Sequence, residues 1–234
     1  MKRFWDHAAI APASAGFAVL LDGRPVRLPG GAPLQLPTLA LAEAIAAEWQ
    51  TAGGAKGGEM GWGEVPLTRL AGTAQERIAP DPEPVVLEIA RYAETDLLCY
   101  RAEAPEALVQ RQGAQWQPWL DWAAQEHGAR LRVTAGVMPV AQDTAALAAL
   151  AQAVAALPVP ALAALGLAVP ALGSLVLGLA MAAFRLDAEA AFALASLDEA
   201  FQAEQWGRDE AAEQRRRCIR EDIAVAGRFL ELTS

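Results

Sequence analysis

Ala79-Pro80-Asp81-Pro82-Glu83-Pro84 places three prolines in six residues, which no helix interior accommodates. The run suits a break between domains or a break between helices. The patterns on its two sides favour the former. Upstream, Phe17-Ala18-Val19-Leu20-Leu21 and Val26-Arg27-Leu28 flank Asp22-Gly23, a pair that fits a tight hairpin turn. Pro25 cannot donate to a strand ladder and so belongs at a sheet edge. Thr38 is a plausible N-cap for a helix over 39–50, with apolar residues at 41, 45, 46 and 49. Six glycines in residues 53–63 read as a loop, and Pro66 opens a further helix running to Ile78.

Downstream of the prolines the periodicity is helical almost throughout. One helix is predicted over 85–100, with Ile89, Tyr92 and Leu97 inward. Another spans 105–128 and carries Trp116, Trp119 and Trp122, with Pro118 expected to kink or divide it. A short extended connector is predicted over 131–136. Asp143 caps a helix through about Leu157, and further helices cover 187–206 and 209–232, Gly207 ending one and Asp209 capping the next. The expected fold is α+β: a small N-terminal mixed α/β domain over 1–83, then a larger all-α C-terminal domain over 84–234.

Residues 144–184 contain no Asp, Glu, Lys or Arg. That length exceeds the roughly 20 residues of a bilayer span, but Pro158, Pro160 and Pro170 divide it and alanine dominates its apolar content. The 14 residues from Ala171 to Phe184 read as a buried core helix, with Gly173, Ser174, Gly178 and Ala182 allowing close helix approach. Stable membrane insertion is therefore not expected. The net charge of −9 over 234 residues, with no basic surplus in any segment, argues against nucleic acid and anionic membranes. The cluster Arg215, Arg216, Arg217 and Arg220 has acids around it and reads as a salt-paired helix face. Two cysteines and two histidines, none at ligand spacing, give no disulfide framework and no metal site. The N-terminus lacks a sustained apolar stretch of the signal-peptide kind, and a bacterial cytoplasmic location is the simplest expectation.

The segment that follows the uncharged run, Asp198 to Glu210, reads DEAFQAEQWGRDE. At 100° per residue, Leu194, Leu197 and Phe201 form one face, suited to packing on the core. Phe192, Ala195, Glu199, Ala203 and Trp206 form nearly the opposite face. Asp198, Gln202, Gln205 and Asp209 make a polar seam between them, and Glu204 and Arg208 are an i,i+4 pair. Composition alone describes an amphipathic helix with a solvated acidic side. Glu199 is then either half-buried with a partner or exposed in a recognition patch. No phosphate loop, nucleophile elbow or His-Glu-x-x-His motif occurs, and neither His7 nor His127 has a local partner that would make it catalytic. Trp116, Trp119 and Trp122 read as packing residues, and Asp96 with Arg101 as a structural salt bridge.

Several strings, in order, resemble the assembly chaperones of the F-type ATP synthase known as the ATP-twelve family. They are Arg3-Phe4-Trp5, Asp22-Gly23-Arg24-Pro25, Leu39 to Trp49, Pro66-Leu67-Thr68-Arg69-Leu70-Ala71 with Thr73-Ala74, and Tyr92 with Thr95 to Ala102. Trp116-Gln117-Pro118, Gly173-Ser174-Leu175-Val176, Leu197-Asp198-Glu199 through Gln202, Trp206-Gly207 and Asp209 complete the set. Departures lie in the glycine-rich 53–63 loop, at Val65 and at Gln75-Glu76. The resemblance implies a non-enzymatic chaperone that binds the unassembled alpha subunit and prevents its aggregation until beta subunits replace it. It implies no catalytic residue, no cofactor and no metal. The client-binding candidates it implies are Glu199, the match to the family's important acidic position, with Asp198, Gln202, Trp206 and Asp209. The competing reading is a carboxylate-dependent enzyme, pairing Glu199 with Asp96 in a cleft between the two domains.

Overall fold

A computed structural model describes residues 1–136, 138–207 and 209–234. The fold is α+β, with a small N-terminal region of sheet and helix followed by a larger helical part. Its chain forms two compact units. The first comprises Met1–Pro82, Val159–Ala164 and Arg228–Ser234; the second comprises Glu83–Pro158 and Leu165–Gly227. The first unit is thus assembled from three pieces of chain rather than from one cut at the prolines.

In the first unit, strands β1 (Ala8–Ala13), β2 (Gly16–Leu21) and β3 (Arg24–Pro25) form an antiparallel sheet in that order. Asp22 and Gly23 both take positive φ, 46° and 80°, the geometry a two-residue hairpin turn demands. Asp22 is held there because its carboxylate accepts the Asp6 and His7 amides, which keep its pKa below the ordinary carboxylate value. Pro25 occupies the edge strand, where no ladder donor is missed. Helix α1 (Leu39–Thr51) starts at Thr38, whose hydroxyl accepts the Leu41 amide at 3.2 Å, and it buries Leu41, Ile45, Ala46 and Trp49. Glu48 on α1 receives the Leu67 and Thr68 amides at 2.7 and 3.1 Å and so caps helix α2 (Pro66–Thr73). Burial pushes the Glu48 carboxyl up, against the pull of those donors. One wider helical turn, Ala74–Ile78, continues α2.

The second unit begins with α3 (Glu83–Ala90), so the proline run supplies a helix start. The single helix expected over 85–100 is not formed. It stops at Ala90 and gives way to tight turns at Arg91–Thr95 and Leu97–Cys99, then strand β4 (Tyr100–Arg101). The helical course that continues through Thr95 ends at Asp96, fully buried, whose carboxylate accepts the Leu98 amide, the Ser174 hydroxyl and the Val176 amide at 3.1, 2.8 and 3.0 Å. Asp96 itself takes φ −56° and ψ 129°, outside the helical region. The expected Asp96–Arg101 salt bridge is likewise absent. Arg101 instead donates to the carbonyls of Leu98 and Gln112, both at 2.8 Å.

Helix α4 (Glu106–His127) runs through Pro118, so of the two expected outcomes, a kink or a division, the division does not occur. Pro118 and Ala114, whose carbonyl loses its partner, are both exposed, so the freed carbonyl is not buried without a partner. Strand β5 (Thr134–Ala135) pairs in parallel with β4. Asp143 caps α5 (Thr144–Ala155) as expected. The uncharged stretch holds three helices: α5, then α6 (Val159–Leu172), set off at Pro158 as expected, and α7 (Leu175–Ala182). Between the last two, the divider is not Pro170, which sits at the exposed side of α6, but Gly173, left-handed at φ 64°, followed by the Ser174 cap. A β-carbon on Gly178 would meet Val169 Cγ2 at 2.5 Å, which shows how closely α7 lies on α6. Among the described residues no helix is long and apolar enough to cross a membrane.

Candidate functional site

The segment expected to form one helix over 187–206 is two, α8 (Ala188–Ala195) and α9 (Leu197–Trp206), broken at Ser196. Two neighbours act at the break. The fully buried Trp116 indole donates to the Leu194 carbonyl at 3.0 Å, and the Ser196 hydroxyl donates to the Phe192 carbonyl at 2.7 Å. Trp116 is therefore a packing residue with a polar duty, and Arg101 lies over its ring at 5.4 Å. Trp119 and Trp122 are half-buried and meet edge to face.

From that break α9 sets out with Leu197 and Phe201 buried, as the wheel predicts, and with Asp198 and Glu199 in its first turn. The two acids do different things. Asp198 is half-buried, and Gln112 Nε2 donates to it at 2.7 Å. Gln112 is itself fully buried, and its carbonyl oxygen accepts the Ala102 amide at 2.8 Å. Asp198 thus closes a chain of bonds from β4 through α4 to α9. Glu199 is exposed, with Arg216 at 3.7 Å. That arginine comes from α10 (Glu210–Thr233), also approaches Glu213 at 3.6 Å and lies over the Phe192 ring at 5.7 Å. Arg220 covers the same ring and pairs with Glu189, so two of the four arginines of the cluster, Arg216 and Arg220, are salt-paired among the described residues. The outer stripe predicted from one continuous wheel is accordingly covered at its Phe192 end and open at its Trp206 end.

Gln202 is exposed, and Trp206 is 79% exposed in the last turn of α9. Gly207 follows at φ 88°, and its amide closes the helix on the Ala203 carbonyl. Asp209 is exposed and caps α10, its carboxylate accepting the Ala212 amide at 2.8 Å. The expected Glu204–Arg208 pair involves Arg208, which lies outside the described residues. Glu204 receives a two-pronged contact from Arg111 of α4 at 2.8 and 2.9 Å, and Arg111 also lies over Phe201 at 5.2 Å. That contact holds the Glu204 carboxyl below its ordinary pKa and raises that of Arg111. Arg111, Gln112 and Trp116 were not singled out as partners of this segment. They lie 93, 86 and 78 residues from their partners, a separation that no local pattern reports.

The arrangement offers no catalytic pairing of Asp96 with Glu199. The first is buried and fully engaged by its own donors, while the second is exposed against Arg216. Cys99 is buried and Cys218 exposed, both as free thiols. Burial raises the Cys99 thiol to about 12, which keeps it protonated and inert. Among the described residues no group of three His, Cys, Asp or Glu could hold a metal ion.

The family model described as "ATP12 chaperone protein" matches residues 2–124, more than half of the chain. The chain belongs to the ATP12 chaperone family. Solved structures agree over its whole length. The crystal structure of Atp12 from Paracoccus denitrificans is 47% identical, with 100% of this chain and 98% of that one covered and a TM-score of 0.91. An aspartate-to-lysine mutant of the same Paracoccus protein matches at 46% identity over the same shares, with a TM-score of 0.90. A protein from Agrobacterium tumefaciens, described as a candidate chaperone, matches at 41% identity over 100% of this chain and 86% of that one, with a TM-score of 0.89. The protein is an ATP synthase assembly chaperone and not an enzyme, its family and structural neighbours being described as chaperones.

Proposed function

We propose that the protein binds the unassembled alpha subunit of the F-type ATP synthase and keeps it from aggregating until beta subunits replace it, in the bacterial cytoplasm. Family membership supports the assembly role. The observation that carries the contact surface is Trp206, a large aromatic 79% exposed on a helix that the core holds firmly through Leu197, Phe201 and Asp198. A rigidly presented aromatic beside exposed Gln202 and Glu199, with Asp209 just beyond, has the make-up of a protein contact that forms and is later given up. Asp198 serves that surface from beneath, by fixing the helix that carries it.

The test is co-purification with isolated alpha subunit and suppression of its aggregation, against an inert control protein. Equal recovery and equal light scattering with the control would refute the reading. Within the surface, Trp206→Ala and Glu199→Lys are expected to reduce client protection while leaving the far-ultraviolet circular dichroism unchanged. Full protection by both variants would remove α9 from the contact.

A further inference from the structure

A second surface lies on the first unit, away from α9 in sequence. The N-terminal Arg3-Phe4-Trp5 alternates: Arg3 and Trp5 are buried, and Phe4 is 54% exposed. Arg3 is fixed by donating to the carbonyls of Trp5, Gln50, Ala52, Gly54 and Asp6. Trp5 donates to the Trp49 carbonyl and packs edge-on against its ring at 5.1 Å. Trp49 in turn donates to the Thr68 hydroxyl at 3.0 Å. Trp49, so fixed, lines two adjoining cavities of about 560 and 500 Å³, which share Val26, Arg27, Trp49 and Trp62 as walls. Trp62 is 51% exposed between them, and Phe4 lines the smaller one.

The charge around the cavities is opposite to that of the chain. The protein carries 28 acids against 19 Lys and Arg, yet the lining holds Arg24, Arg27, Arg69 and Arg77 against Glu76 alone. Glu76 is spent on the Gly30 amide at 3.0 Å. None of the four arginines is in an ion pair among the described residues. Arg69 and Arg77 are eight positions apart along α2 and its continuation, about 12 Å at helical rise. A compact anion meets both arginines only where their side chains fold toward each other, and it does not span that backbone distance. An extended peptide does, because residues i and i+4 of a strand share a face and stand about 13 Å apart.

We propose that this groove binds an extended acidic segment of the client, reading acid-x-apolar-x-acid, with its carboxylates on Arg69 and Arg77 and its apolar side chain in the cavity walled by Trp49 and Trp62. The segment continues past Trp62 into the second cavity, beside Phe4, Arg24 and Arg27. The ownership of the peptide rests on the client-holding function proposed above; the chemistry of the groove does not.

Fluorescence anisotropy of the full chain with labelled peptides tests the two separately. A peptide built around Glu-Ser-Leu-Ser-Glu is expected to bind at least tenfold tighter than its Lys-flanked counterpart and its Leu→Ser counterpart. Raising the salt concentration should weaken it, since the groove charges are exposed. Arg69→Ala with Arg77→Ala, and separately Trp62→Ala, should each weaken it at least tenfold. Arg130→Ala, outside the groove, should not. Equal binding of Glu- and Lys-flanked peptides, unchanged affinity in the double variant, or displacement by millimolar inorganic phosphate at constant ionic strength would overturn the proposal. Client protection by the wild type with no peptide binding removes the groove and leaves the holding function. Peptide binding without client protection supports the groove and removes the alpha subunit as its source.

Discussion

Asp198 and Glu199 are neighbours in sequence with opposite structural duties, and alanine at each position separates them by stability. Asp198 accepts from Gln112 Nε2 at 2.7 Å, and Gln112 is fully buried. A hydrogen bond to a charged acceptor contributes about 1.5–3 kcal/mol, and its loss strands a buried amide N–H. Asp198 is half-buried, which argues for the lower part of that range. Asp198→Ala should therefore cost about 2 kcal/mol. For a chain of this size that corresponds to a melting temperature lower by roughly 4–8 °C. Glu199 is more than half exposed and stands 3.7 Å from Arg216, so its alanine variant should change stability by no more than about 0.5 kcal/mol. Asp198→Asn keeps an acceptor without the charge and should fall between the two. Differential scanning calorimetry and urea titration read all three. Equal stabilities for Asp198→Ala and Glu199→Ala would refute the division of roles. The difference also bears on function: a client defect in Asp198→Lys would arrive with a lowered melting temperature, whereas one in Glu199→Lys would not.

Further outcomes follow from the core. Burial raises the Asp96 carboxyl to about 6, against the pull of the Val176 amide, the Ser174 hydroxyl and the Leu98 amide. Because the unfolded value lies near ~4, the native state keeps this proton longer. Its contribution is full below about pH 4 and lost as pH rises to about 6, so the urea midpoint of the wild type should fall across that window relative to Asp96→Asn; parallel curves would refute the assignment. Ser174→Ala removes the α7 cap and one Asp96 donor, so it should cost roughly 1–2 kcal/mol and move that window upward in pH, both readable by urea titration at several pH values. Gly178→Val drives a side chain into Val169 and should cost roughly 1–3 kcal/mol by calorimetry.

The elements that sequence reading located correctly are those whose signal is local. The Asp22-Gly23 turn, the Thr38 and Asp143 caps and the buried face of Leu194, Leu197 and Phe201 each follow from a few adjacent side chains and their backbone preferences. Periodicity misplaced helix ends wherever a distant partner intervened. The helical turns over 91–95 end at Asp96, whose donors sit 78 and 80 residues on, and the break at Ser196 has the Trp116 indole beside it. The opposite error came from proline: Pro118 and Pro170 looked like dividers, but each lies on a helix flank that water reaches. Of the site, the sequence pattern separated an inner from an outer face. It placed Glu199 outermost and Asp198 in the seam, but contained nothing to name Gln112, 86 residues away, as the partner of Asp198.

By itself, the order of residues determined the α+β class, the uncharged helical core, and, through its ordered strings, membership in the ATP12 chaperone family. These depend on local backbone preference, apolar periodicity and inherited pattern, all of which are written along the chain. Tertiary structure alone decided that three separated segments build the first unit and that Gln112 takes Asp198 while Glu199 stays out. It also gathered Arg24, Arg27, Arg69 and Arg77 around Trp62 in an acidic protein. Each of these is a meeting between residues tens of positions apart, and the free energy that selects it exists only once the chain has closed those loops.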